Sequence, residues 1–196
     1  MKYFIFFILL FLLSNKNCYA QKKLTESDLL AFKDRARIAV KHLQDYISML
    51  ASASKDSTTK NYYKSEALKL FKNNGTDVTM EVSSLRNSQE SRVRLPLLRY
   101  FNGIISLTKK NGKYAQVEIT FAETWHVSNL HKIDENKYHA TATIFQKFVG
   151  YDTEGNAKYQ DITKKTIEID VERVADFFGE RWIVLLGDIS VTETSR

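Results

Sequence analysis

The second half of the chain leaves little choice of fold. Four long runs, 114–127, 138–151, 159–172 and 181–192, are rich in β-branched and aromatic residues, which suits them to a pleated, half-buried surface. The breaks between them carry turn residues: Asp134-Glu135-Asn136-Lys137, Asp152-Thr153-Glu154-Gly155-Asn156 and Phe178-Gly179-Glu180. Parallel pairing of successive strands needs a crossover of about a dozen residues or more. Breaks this short predict an antiparallel meander instead.

Such a sheet must bury one face, and the first half of the chain supplies the cover. Thr25-Glu26-Ser27-Asp28 has the hydroxyl and early acids of a helix start. Behind it Leu29, Phe32, Ala36, Ala39, Leu43, Ile47 and Leu50 recur at three- and four-residue spacing, with Lys33, Arg37, Lys41 and Asp45 opposite. This pattern predicts an amphipathic helix of about 24 residues. After a polar connector, 52–59, a second helix turns Tyr63, Ala67, Leu70 and Phe71 inward, and Asn73-Asn74-Gly75 stops it. Residues 78–85 alternate as a strand, 86–94 read as a polar loop, and Pro96 suits the first turn of a third helix bearing Leu97, Phe101, Ile104 and Ile105. The expected fold class is α+β: three N-terminal helices packed on a curved, mainly antiparallel sheet.

The first twenty residues read as an address. Lys2 precedes an apolar run over 3–13, then a polar stretch and Cys18-Tyr19-Ala20, the layout of a secretory signal peptide. That run is too short for a membrane-spanning helix, which needs about 20 residues. The alternative is an uncleaved anchor. Asn15-Lys16-Asn17 before Cys18 argues against lipid attachment there, so cleavage is expected after Ala20, leaving a single domain over 21–196 in the periplasm or outside the cell. Lys2 and Lys16 leave with the leader, and 27 basic against 23 acidic side chains remain, a net +4. The only cysteine leaves too, which removes disulfides, thiolate catalysis and Cys-ligated zinc from the mature chain.

The order long helix, short helix, strand, helix and four long strands resembles the NTF2-like (cystatin-like) cone. That superfamily includes nuclear transport factor 2, ketosteroid isomerase and scytalone dehydratase. The likeness covers about residues 25–193, with Tyr62-Tyr63-Lys64-Ser65-Glu66-Ala67-Leu68-Lys69-Leu70-Phe71 as one of its pieces. Phe148-Val149-Gly150-Tyr151 and the stretch from Trp182-Ile183-Val184 to Gly187-Asp188-Ile189 are similar to uncharacterised exported bacterial proteins of this type. The resemblance implies an inward sheet face lining a pocket and dimerisation through the sheet; it implies no activity.

Strand 114–127 places Phe121, Glu123 and Trp125 on its apolar face, and alternation puts Asp188 with Trp182, Val184 and Leu186. These five, Glu123, Trp125, Phe121, Asp188 and Trp182, are the candidate pocket residues. Two inward carboxylates resemble a general acid/base pair, since burial raises a carboxylate toward working pH. A β-bulge would instead turn Glu123 outward, a bend after Gly187 could displace Asp188, and either acid could pair with an Arg or a tyrosine hydroxyl. Tyr63, Tyr100 and Tyr114 are possible hydrogen-bond donors, and no spacing singles one out.

His126, His131 and His139 could share one hairpin, but no H-x-H or H-x-x-x-H spacing occurs, so neither metal nor cofactor is expected. The basic pairs Lys109-Lys110 and Lys164-Lys165 are interleaved with acids, and Glu168, Asp170 and Glu172 share a face. A solvated, mildly basic surface follows, with no nucleic-acid interface and no stable membrane insertion after cleavage. Walker, dinucleotide and serine-hydrolase signatures are absent. Strand 138–151 is apolar on both sides. Either Phe145 and Val149 mark a homodimer surface or they pack under 171–178. The expected function is non-enzymatic binding of a small apolar ligand or of a protein partner in the cell envelope. The alternative is a small isomerase, dehydratase or hydrolase using Glu123 or Asp188. A third reading is an envelope-assembly subunit resembling the periplasmic domain of type IV secretion systems.

Overall fold

The computed structural model describes residues 23–86, 89–108, 112–122, 126–177 and 179–195. The expected leader, Glu123 and Trp125 lie outside the described residues. Helix α1 (Glu26–Ala51) opens with a capping box: the Asp28 N–H donates to the Thr25 hydroxyl at 3.2 Å, and the Thr25 N–H donates to the Asp28 carboxylate at 2.9 Å. Ala36, Val40, Leu43, Ile47 and Leu50 are at most 1% exposed. Each large aliphatic of that stripe contributes about 1.5–3 kcal/mol, far more than helix propensity does. Helix α2 (Ser57–Lys69) is capped by Asp56, which accepts from the Thr59 N–H at 2.9 Å. Beyond it Asn73, Asn74 and Gly75 all take positive φ (48°, 50° and 74°) and turn the chain toward the sheet. Helix α3 (Leu97–Ser106) begins directly after Pro96.

Among the described residues the strands are β1 (Thr79–Arg86), β2 (Gln89–Pro96), β3 (Gln116–Phe121), β4 (His126–Val127), β5 (His131–Asp134), β6 (Lys137–Tyr151), β7 (Ala157–Asp176) and β8 (Gly179–Ser195). They form one mixed sheet in the order β2-β1-β8-β7-β6-β3, with β4 and β5 also on β6. The pairing is antiparallel except where β1 meets β8 in parallel. The core lies between the helices and one sheet face, where Ala140, Ala142, Ile144, Ile167, Ile169, Leu186 and Ile189 meet the α1 stripe. Register shifts at Lys164/Lys165 and Ile167/Ile169 bend the long β7–β8 ladder. This is the α+β layering expected from the element order. No helix among the described residues is long and apolar enough to cross a membrane.

The structure corrects the sequence reading at two places. Most of 86–94, expected to be a loop, is β2, paired along its length with β1 (Met80 with Leu95, Val82 with Val93). It is an edge strand whose Val93 is 52% exposed, so it lacks the buried alternation that marks a strand. The run 114–127 is two strands, β3 and β4, rather than one. At the junction of β1 and β8 the single backbone pair, Met80 with Ile189, is reinforced by side chains. The Thr79 N–H donates to Asp188 at 2.8 Å, the Val191 N–H donates to Glu81 at 2.7 Å, and Arg92 donates to the Val191 carbonyl at 2.7 Å.

Candidate functional site

A cavity of about 660 Å³ lies between α3, the β1–β2 hairpin and the distal halves of β6 and β7. Its wall is built by local rules. Tyr100 and Ile104 sit one turn apart on α3, with Gly103 at the rim. Opposite them Phe148 and Tyr159 stack edge-on, with Tyr114 against Phe148. Tyr114 reaches this position because Gly150 lies under its ring, where a Cβ would come within 2.5 Å; any larger residue would displace the ring.

The inner end of the cavity is polar, and β7 supplies most of it. Its inward alternation runs Asp161, Thr163, Lys165, Ile167, Ile169, Val171. The apolar half packs under α1, and the polar half lies beneath the cavity. Lys165 is 2% exposed and Asp161 is 5% exposed. The Tyr159 hydroxyl donates to Asp161 at 2.6 Å. The Lys165 ammonium lies over the Tyr100 ring, 5.5 Å from its centroid, and among the described residues it has no carboxylate within 4 Å. Burial pushes its pKa down to about 8, although Asp161 and Glu81 act in the opposite direction. Tyr100 is also buried, and that burial raises its phenol well above the usual range, with Gln146 offsetting only part of the effect. The Gln146 amide lies close enough to influence Tyr100 Oη but forms no hydrogen bond of good geometry with it, so Tyr100 Oη and Gln146 Oε1 are without a well-formed hydrogen bond among the described residues. An unsatisfied buried polar group costs about 1–3 kcal/mol, so this end of the cavity is built to receive polar atoms.

Of the residues expected to line a pocket, the three that the structure describes, Asp188, Trp182 and Phe121, are placed elsewhere. Asp188 is exposed and holds the β1 backbone through Thr79. Gly187 and Asp188 together stand opposite Glu168 in a bulge, which breaks the alternation and turns Asp188 away from Leu186. Trp182 packs edge-on against Tyr138, 5.6 Å between ring centroids, in a separate small cluster with Phe32 and Val171. Phe121 is half-buried against the main core. The structure does not bring these three together, and none of them lines the cavity. Of the three tyrosines considered as donors, Tyr100 and Tyr114 line it and Tyr63 stacks on Tyr46 instead. Lys165, read as half of a solvated surface pair, is the buried cation, while Lys164 points to the other face.

On that outer face His139 is engaged by carboxylates of β7. His139 faces Glu168 at 2.7 Å and Asp170 at 3.0 Å, and His131 stacks edge-on upon it at 5.3 Å. His126, on β4, pairs with Thr143. Among the described residues no three His, Cys, Asp or Glu side chains gather as metal ligands. Phe145 is 37% exposed with Lys164 beside its ring, and Val149 is buried. Neither lies under 171–176, because Phe145 pairs with Lys164 and Val149 with Gln160, whereas Val171 pairs with Tyr138.

No protein-family model matches the chain, nor does the sequence of any curated protein. Among solved structures it is similar in shape to a protein from Novosphingobium aromaticivorans provisionally assigned as a scytalone dehydratase. The identity is 13% over 86% of this chain and 90% of that one, with a TM-score of 0.44. It is also similar to naphthalene 1,2-dioxygenase with indole bound in its active site (12% identity, 88% and 83% covered, TM-score 0.45). A third similar structure is a type 2 hexachlorocyclohexane dehydrochlorinase (10% identity, 84% and 91% covered, TM-score 0.36). Similarity of shape at this level transfers no activity to this chain.

Proposed function

We propose that this chain binds a small, largely apolar molecule in the cavity beneath α3. The observation that carries this reading is a cavity of about 660 Å³ walled by Ile104, Tyr114 and Phe148, at whose inner end the buried Tyr100 Oη and Gln146 Oε1 lack a well-formed hydrogen bond among the described residues. Ligand sites have this construction: a concave apolar wall, a volume of about 300–1,000 Å³ and a few convergent polar atoms. Asp188 is engaged on the surface, so the reading is one of binding, without a catalytic role for that carboxylate.

The test uses Nile red, a neutral dye whose emission rises and shifts to the blue in an apolar site. The wild-type protein is expected to bind it, and Gly103→Trp to lose most of that binding. A Cβ at Gly103 meets nothing within 4 Å, so the indole can cover the cavity mouth without disturbing the core. Leaving Gly also improves helix propensity by about 0.5 kcal/mol, so the variant's thermal midpoint is expected to be no lower than wild type. No dye binding by wild type, or equal binding by both proteins, overturns the reading.

We also propose that binding takes place after export, which the leader pattern of 1–20 supports. Expression in a bacterial host should yield a periplasmic or secreted chain whose N-terminal residue is Gln21; an intact N-terminus retained with membranes would contradict this.

A further inference from the structure

The charged residues on the cavity wall are three cations and one carboxylate among the described residues: Arg99 and Lys113 near the mouth, Lys165 and Asp161 within. We infer that the cavity's ligand is an organic acid, whose carboxylate is received at the inner end by Lys165 and Tyr100 while its apolar body lies along Ile104 and Phe148. This inference rests on the cavity being a binding site and names the chemistry of what it takes.

The groups facing Lys165 support it. From β1, Glu81 is committed to the Val191 N–H. On β7, the strand of Lys165 itself, Asp161 accepts from Tyr159. From α3 comes the Tyr100 hydroxyl, and from β6 the Gln146 amide, whose Oε1 is without a partner among the described residues. Both neighbouring carboxylates influence the lysine from a distance, yet neither contacts it. A desolvated ammonium is costly to hold without a contact anion, and a ligand carboxylate would provide one. Tyr100 stays protonated because its burial holds the phenol neutral, so it can donate to the same group. A neutral ligand would leave the ammonium as it stands. A cationic one would meet three positive charges.

The experiment is competition against bound Nile red by decanoate and by 2-naphthoate, each compared with its own primary amide. At pH 7 at least one acid is expected to compete about tenfold or more better than its amide, the range of a charge-assisted hydrogen bond in a buried site. The preference should fall as pH rises above about 8, where the lysine of the free protein loses its proton, although both acids stay ionised throughout. In Lys165→Met the acid-to-amide ratio at pH 7 should fall to near one. If that variant does not fold, the wild-type pH profile alone decides the matter. Nile red binding with no acid outcompeting its amide overturns the carboxylate and leaves the cavity reading standing, as does a preference that is unchanged between pH 7 and pH 9.5. Failure of Nile red to bind at all removes both.

Discussion

On the outer face of β7, Glu168, Asp170 and Glu172 each have a basic side chain as partner. His139 bridges the first two, Lys137 lies 2.6 Å from Asp170, and Lys72 lies 2.8 Å from Glu172. On the inner face of the same strand, Lys165 is 2% exposed and meets no carboxylate within 4 Å among the described residues. The outer charges are partly solvated and locally balanced, an arrangement that is cheap and contributes modestly to stability. The inner charge is desolvated and unbalanced. Ile167 and Ile169 occupy the same face two and four residues further on, so an apolar residue would satisfy the strand equally well. The fold has no need of an ammonium there, and its presence points to something the cavity receives.

The largest expected effect tests that contrast directly. Lys165→Met should stabilise the protein at pH 7 by about 3 kcal/mol. The lysine falls from 10.5 to about 8 on folding, and each unit is worth about 1.4 kcal/mol. The sign follows from linkage. Below pH 8 both folded and unfolded chains hold the proton, and the native state bears the full penalty of burying it. Between about 8 and 10.5 the unfolded chain holds more protons, so wild-type stability rises relative to the variant and the gap closes. Denaturant midpoints of both proteins at pH 7 and pH 10 measure this. Equal stability at pH 7, or a gap that ignores pH, would show that the inner charge is as well accommodated as the outer ones.

Much of this geometry could be read from residues, and the exceptions have physical causes. The capping box at Thr25 and Asp28, the apolar stripe of α1, the stop at Asn73-Asn74-Gly75 and the long strands all carry strong local signals. β2 was hidden because an edge strand exposed on both sides needs no hydrophobic alternation. Asp188 was assigned to the wrong face because alternation assumes an unbroken strand, and the bulge at Gly187 and Asp188 opposite Glu168 shifts it. Gly187 was the available clue. Lys165 was legible but misread: the adjacent pair Lys164-Lys165 resembles a basic surface cluster, yet two-residue periodicity places Lys165 with Ile167, Ile169 and Val171 on the buried face. The resemblance implied a pocket on the inward sheet face, but the position and lining of the cavity were not legible. They depend on how far α3 and the β1–β2 hairpin stand from β7, a tertiary spacing that no local pattern records.

The smallest expected effect lies on the outer face. Burial alone would raise the Asp170 carboxyl, but hydrogen bonds from His139 and Lys137 outweigh it and hold the group below its ordinary 3.8. A carboxylate depressed in the folded state adds stability above its unfolded value, and that stability is lost as pH falls through the folded one. Asp170→Asn should therefore cost about 1 kcal/mol at neutral pH, the scale of a partly exposed ion-pair network. The difference from wild type should begin to shrink as pH falls below the ordinary aspartate value of 3.8 and vanish only once the folded-state carboxyl is itself protonated, at a lower pH. Denaturant midpoints at pH 7 and at descending acid pH would show this. The comparison sharpens if the two substitutions move stability in opposite directions at pH 7, with the inner lysine's effect disappearing in base and the outer aspartate's in acid. It breaks if Asp170→Asn also stabilises, since the outer charges would then be no better compensated than the buried one.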